Sequence, residues 1–213
     1  MNNVIFIAPP AAGKGTFSEK LKKIGYDHIS TGDMLREEVA KKSEVGLQID
    51  EIMKSGKLVS DEIIFDLITK RLDGLNKSFI LDGFPRTLEQ ADMLNNLFNK
   101  LNINNYKVIY LDIPMEVAIK RALGRLTCSC GASYNKFNDL FKSKVEGICD
   151  KCGSTLTQRS DDNEESFKLR YNTFQEKTKP IINYYKKLNK LHVIDATIDI
   201  EQQLAEIKNI LNI

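Results

Sequence analysis

Short apolar runs alternate along this chain with stretches of helical periodicity. Val4 to Ile7 is an unbroken apolar run, the pattern of a strand buried on both faces. A segment of Pro, Ala and Gly follows, then Phe17, Leu21 and Ile24 at helical spacing, so the opening reads strand, loop, helix. Tyr26 to Ile29 predicts a second strand, with a helix starting between Ser30 and Asp33. Two further helical patterns, Val45 to Met53 and Ser60 to Leu72, flank the turn Ser55-Gly56-Lys57. Ser78 to Leu81, Lys107 to Leu111 and Leu191 to Ile194 predict three more strands, separated by helical patterns at 87–101 and 114–125. Such alternation specifies an α/β fold of three layers, a five-stranded parallel sheet with helices on both faces.

The alternation fails between Leu126 and Gln158, where Gly, Asn, Ser and Lys gather without helical periodicity and predict a small β-rich insert. Helical character returns with Ser160-Asp161-Asp162-Asn163-Glu164-Glu165, which places an N-cap candidate and acidic residues where a helix start favours them. A long helix carrying Phe167, Tyr171 and Phe174 then runs towards Pro180, and Ile200 to Leu211 closes the chain.

With 213 residues and 42% hydrophobic content, one substantial core and small insertions are affordable, but not two full-sized domains. Thirty-one Lys and Arg against 29 Asp and Glu leave a formal charge of +2, too little for a nucleic-acid tract or a polybasic membrane anchor. The N-terminal apolar run lacks a positive flank and is too short for a signal peptide, and no run approaches the ~18–20 apolar residues that span a bilayer. The expectation is a cytoplasmic protein. All four cysteines, Cys128, Cys130, Cys149 and Cys152, fall within a 25-residue stretch. Clustered pairs in a cytosolic chain point to a metal site rather than a disulfide framework. Four thiolates suit tetrahedral Zn2+ and leave no open position, so the expected role is structural. The first pair has a single intervening residue, a narrower bite than the second.

Ala8-Pro9-Pro10-Ala11-Ala12-Gly13-Lys14-Gly15-Thr16 lies between the first strand and first helix, where a phosphate-binding loop belongs. Its backbone N–H groups would wrap ATP phosphate oxygens, with Lys14 as a point charge on the β and γ phosphates. Ala8 and Ala11 stand where glycines would be comfortable, a small cost as long as their φ stays negative. The alternative is an ordinary strand-to-helix turn with a surface lysine. Asp82 ends an apolar strand, where a carboxylate orders Mg2+ through its waters, with the Thr16 hydroxyl near the same ion; a turn-forming Asp-Gly pair is the competing reading.

Three more motifs accompany this loop: Thr31-Gly32-Asp33-Met34-Leu35-Arg36 after the second strand, Gly56-Lys57-Leu58-Val59-Ser60-Asp61 between the two helical patterns, and Leu81-Asp82-Gly83-Phe84-Pro85-Arg86-Thr87 leaving the third strand. Together they resemble the adenylate kinase family over essentially the whole chain. The resemblance implies reversible, Mg2+-dependent in-line transfer of a phosphoryl group, ATP and AMP giving two ADP. It implies a core of residues 1–29, 60–125 and 163–213, a helical AMP-binding insert at 30–59 and a β-rich, zinc-ribbon-like lid at 126–162. Carried over by position, Ala11, Ala12, Gly13, Lys14, Gly15, Thr16, Arg121, Arg125, Ser133, Tyr134 and Ile198 would contact ATP. Thr31, Arg36, Lys57, Leu58, Val59, Gly83, Phe84, Pro85, Arg86, Gln90, Arg159 and Arg170 would contact AMP. Lys14, Arg86, Arg125, Arg159 and Arg170 would stabilise the transferring phosphoryl, and Asp161 and Asp162 would tie the lid base to arginines.

No general base is expected, because the AMP phosphate is already ionised at pH 7; His28 and His192, outside every motif, are read as structural. A UMP/CMP kinase would share the phosphate loop, but Thr31 and the long cysteine lid favour AMP. A zinc-ribbon nucleic-acid module would need a basic or aromatic face, whereas Gly131 to Ile148 mixes Lys136, Lys142 and Lys144 with Asp139 and Glu146. A regulatory P-loop switch would leave the Thr31 and Gly83 motifs unexplained. The expected partners are ATP, AMP and ADP, with a monomeric enzyme and neither nucleic acid nor membrane.

Overall fold

A computed structural model describes residues 1–54, 59–159 and 161–213. Strand β1 (Asn3–Ile7) leads through the glycine-bearing loop into helix α1 (Lys14–Lys22). Then come β2 (Asp27–Ser30), α2 (Thr31–Ala40), α3 (Glu44–Lys54), α4 (Asp61–Leu72), β3 (Phe79–Asp82), α5 (Leu88–Lys100), β4 (Tyr106–Asp112) and α6 (Met115–Gly124). The cysteine-bearing segment contributes β5 (Arg125–Thr127) and β6 (Ser133–Asn135). The chain ends with α7 (Glu164–Thr173), α8 (Pro180–Lys187), β7 (Leu191–Asp195) and α9 (Ile200–Leu211).

The five-stranded sheet runs β2-β3-β1-β4-β7, all parallel, with Ile5 opposite Leu81 on one side and Val108 on the other. Side chains alternate across a strand, so β1 feeds two cores. Val4 and Phe6 pack with Phe17 and Leu21 of α1, Ala118 and Ala122 of α6, and Ile207 and Leu211 of α9. Ile5 and Ile7 pack with Ile68 of α4, Leu94 and Phe98 of α5, and Ile181 and Tyr185 of α8. A third cluster of Leu35, Ile49 and Val59, backed by Ile63 and Ile64, joins α2 and α3 to the first half of α4. There α2 and α3 approach so closely that a Cβ on Gly46 would lie 2.3 Å from the Glu38 carbonyl oxygen.

Two expected helices end differently. Helix α1 stops at Lys22, two residues short of Ile24: the Tyr26 amide bonds the Leu21 carbonyl and Gly25 turns the chain at φ 104°, leaving Ile24 exposed. The helix expected to run towards Pro180 opens into a wide π turn at Phe174–Thr178, where the Lys179 amide reaches back to the Phe174 carbonyl at 2.8 Å. Pro180 then starts α8, a position that needs no N–H. Within the stretch expected to supply the cap of α7, of which Ser160 lies outside the described residues, the Asn163 side chain accepts from the Ser166 amide at 2.9 Å and caps the helix. Among the described residues, no helix is long and apolar enough to cross a membrane.

Candidate active site

Because every strand of the large sheet points the same way, the loops after β1, β2 and β3 share one edge, the edge where α/β sheets bind ligands. Gly13 takes a left-handed φ of 107° and lets α1 begin at Lys14; its carbonyl accepts from the Thr16 amide at 3.0 Å, which leaves the amides of Lys14 and Gly15 at the helix start for a ligand. A Cβ on Gly15 would meet nothing within 4 Å, which marks open space beside the backbone. Ala12 is buried and Thr16 half-buried. The expectation of negative φ fails at Ala11, which sits at φ 62°, a conformation that costs an L-residue on the order of 1 kcal/mol and suits glycine better. Closing the loop onto Gly13 imposes that turn.

Asp82 ends β3 at the centre of this edge. Lys14 Nζ lies 3.6 Å from one carboxylate oxygen and His28 Nε2 3.5 Å from the other. Burial alone would raise the Asp82 pKa, but Lys14, then His28 and Arg86, outweigh it and hold the group at about 2. An anionic oxygen donor beside Lys14 of the phosphate loop fits the hard, oxygen-seeking Mg2+. His28, read as structural, therefore faces the site; the sole sequence signal was its place at the end of an apolar strand. His192, on β7, is remote from it, and burial and Lys107 lower its pKa.

Gly83 follows with φ 88°, and a Cβ there would fall 2.4 Å from Thr31 Oγ1 and 3.3 Å from an Arg86 nitrogen. Its lack of a side chain lets Thr31, buried at the start of α2, and Arg86 share one space. Thr31 Oγ1 donates to the Asp82 carbonyl at 3.4 Å, and Arg86 Nε to the Gly83 carbonyl at 2.7 Å. Arg86 stands exposed in a crowded cleft, where burial lowers its pKa and Asp82 raises it. Phe84 and Pro85 are buried and joined by a cis peptide. Gln90 is only 3% exposed, against the alternative of a solvated amide. Val59 is buried in the α2–α4 cluster, and Lys57 and Leu58 lie outside the described residues.

The remaining arginines come from the segment's two ends. Arg125 clasps the fully buried Asp162 carboxylate, Nε to Oδ2 at 2.7 Å, and Arg170 pairs with both Asp161 and Asp162. Arg159 stays exposed; burial, then Arg125, and further Arg36 lower its pKa, while Asp161 and Asp162 oppose them. Arg36, from α2, and Arg159 thus sense each other's charge across the cleft. Arg36 also pairs with Asp33 one turn earlier. Arg121 Nη2 donates to the Ala196 carbonyl at 2.9 Å, and the Ile198 carbonyl accepts from Gln203 at 2.7 Å.

The cysteine segment carries the antiparallel pair β5–β6 and the single bridges Thr127–Thr157 and Ile148–Thr155. All four Sγ atoms lie within 4.8 Å of one another, with Cys128–Cys152 at 3.4 Å and Cys130–Cys149 at 3.6 Å. Sulfurs bound tetrahedrally to Zn2+ at ~2.3 Å stand about 3.8 Å apart, so the set fits that ion despite the narrow first pair. Tyr134 braces it: its hydroxyl accepts from the Asp150 amide at 2.8 Å and sits 3.6 Å from Cys149 Sγ. Burial opposes ionisation of Cys149, but Tyr134 and the Lys151 and Cys152 amides prevail and lower its pKa to about 6. Ser133 is exposed at the start of β6.

The family model described as adenylate kinase matches residues 6–190. Curated proteins named adenylate kinase from Thermosipho melanesiensis, Fervidobacterium nodosum and Archaeoglobus fulgidus are 42%, 45% and 45% identical to the chain. Each match covers 98% of this chain and 97–99% of the relative.

Proposed function

Since the chain belongs to the adenylate kinase family, and so transfers a phosphoryl group between ATP and AMP, we propose the following division of labour among its residues. ATP phosphates lie against the amides of Ala11 to Thr16, with Lys14 on the β and γ groups. The adenine side falls to Arg121 and Ile198, and Ser133 and Tyr134 approach from the lid. AMP lies between Thr31, Val59 and Gly83 to Pro85, with Arg36 and Arg86 on its phosphate and Gln90 on its base; Lys57 and Leu58 belong to the same pocket. Bidentate guanidinium contacts suit that phosphate.

The observation that carries this reading is the gathering of Lys14, His28 and Arg86 around the half-buried Asp82 carboxylate at the sheet's edge. Transfer passes through a loose transition state with charge on equatorial oxygens, so fixed cations aimed at that space lower the barrier without a general base. Arg86, Arg125, Arg159 and Arg170 fill this role, the last two also touching the AMP side. Asp161 and Asp162 hold Arg125 and Arg170 in place. Asp82 and Thr16 would hold the waters of the Mg2+ that the family uses with ATP, an ion that would supply positive charge against the phosphates. Zn2+ held by the four cysteines would stiffen a lid of residues 126–162 that, with the insert at 30–59, closes over a core of 1–29, 60–125 and 163–213 and excludes water. The enzyme is a cytoplasmic monomer with no nucleic-acid or membrane partner, a reading its near-neutral charge supports.

Purified protein incubated with Mg2+, ATP and, in turn, AMP, UMP, CMP, GMP or water tests the assignment. ATP and AMP falling together as two ADP form, with little release from water, is the expected result. Preference for UMP or CMP would overturn the AMP site, and hydrolysis alone would overturn the transfer reaction.

A further inference from the structure

Both ends of the Gln90 side-chain amide are occupied, and by partners of opposite and unchangeable character. Its Oε1 accepts from the Arg86 backbone N–H at 2.6 Å, and its Nε2 donates to Asp61 Oδ1 at 2.6 Å. An N–H can only donate and a carboxylate can only accept, so the amide cannot turn over without facing two repulsions inside a buried site. One N–H and one oxygen lone pair then remain, with their positions decided in advance.

Helix capping accounts for only half of this. Thr87 Oγ1 accepts from the Gln90 amide at 3.2 Å, and Gln90 answers with the bond to Arg86, a reciprocal cap of α5 that uses Oε1 alone. The contact from Nε2 crosses to a different helix, 29 residues away. Nor does α4 need the Asp61 side chain as its cap, since Ser60 Oγ already accepts from the Ile63 amide.

We propose that Asp61 is a positioning residue for acceptor specificity: it locks the Gln90 amide in the orientation that reads a 6-aminopurine and rejects a 6-oxopurine. The inference rests on the AMP reading above. Adenine offers an amino donor beside a ring acceptor, the pattern a carboxamide meets with its oxygen and N–H. Hypoxanthine, of nearly the same shape, inverts that pattern on its N1 edge, with an oxygen acceptor beside an N1–H donor. A free amide would turn to accommodate it; one held by Asp61 and Arg86 sets oxygen against oxygen. Buried polar groups left unpaired are what make such discrimination steep.

Wild type, Asp61→Ala and Asp61→Asn, all full length, would be assayed with saturating ATP and Mg2+ over a range of AMP or IMP. Asp61→Ala should raise KM for AMP about tenfold with kcat within about twofold, and cut the AMP-over-IMP ratio of kcat/KM at least tenfold. Asp61→Asn, whose Oδ1 can still accept, should keep both values within about threefold. Melting temperatures run alongside, and Asp61→Ser, too short to reach Gln90, replaces the alanine variant if that one melts early. An unchanged AMP-over-IMP ratio in Asp61→Ala, with only kcat or melting altered, would overturn the inference and leave the kinase reading intact. Wild type that fails to phosphorylate AMP would overturn both.

Discussion

The phosphate edge and the cysteine segment solve opposite problems. At the edge, Lys14, His28 and Arg86 crowd a single carboxylate, Asp82, and one loop residue, Ala11, takes a backbone turn better suited to glycine. Like charges held together in a low-dielectric cleft cost stability, and an anionic ligand repays it. Among the described residues the cysteine segment buries Cys128, Ala132, Cys149 and Leu156, with Leu126 and Tyr134 against them, a core too small to hold itself, and its four thiols converge on a point instead. One region is kept under tension for the substrate to relieve, the other offers four thiols for a metal to draw together. Catalysis and stability should therefore separate by mutation.

Arg86→Ala gives the sharpest separation: kcat/KM should fall by a factor on the order of 100 or more while melting barely shifts. A near-normal rate would remove Arg86 from the transition state. Acid tests the edge next. The Asp82 pKa is depressed in the folded state, so its contribution, about 2 kcal/mol, is complete above the ordinary aspartate range and lost as pH falls towards about 2. Asp82→Asn should lack that part of the acid unfolding profile, and an identical profile would show that the charge does not stabilise the fold. Cys149→Ser, or stripping with a chelator, should act in reverse order. We expect melting to drop by roughly 4–8 °C for about 2 kcal/mol lost, with low-temperature activity largely kept. Unchanged melting in a protein that copurifies with no metal would break the comparison. The smallest effect is expected from Ala11→Gly, which relieves the positive φ and should raise melting by a few degrees at about 1 kcal/mol. A fall would mean that the loop's left-handed turn carries no strain.

What could be read in advance was what is local. Val4 to Ile7 is apolar without interruption, Gly13-Lys14-Gly15-Thr16 is a contiguous motif, and the four cysteines sit within one stretch, so the sheet, the phosphate loop and the thiol cluster were all legible. Asp61 was not, although it stands in a recognised motif, because its partner Gln90 reaches it only through the packing of α4 against α5. His28 escaped for the same reason: its contact with Asp82 comes from the pairing of β2 with β3. The Ala11 turn is a matter of closure geometry, invisible in the identity of a small residue. Pro180 misled in a different way, since a proline ordinarily marks an end, but the π turn before it absorbs the lost hydrogen bond and the helical path continues.

Thr127 and Thr157 exchange both backbone hydrogen bonds, at 2.8 and 2.9 Å, so the chain enters and leaves the cysteine segment side by side. To the rest of the protein the whole excursion resembles a single tight turn. Whatever lies beyond that gate can lengthen, shorten or change its ligand chemistry without displacing a strand of the sheet, because closing a longer loop adds little free energy. The segment is, in engineering terms, a socketed cassette: heat tolerance could be retuned by exchanging what surrounds its thiols while the five-stranded sheet, and the phosphate loop on its edge, stay in place.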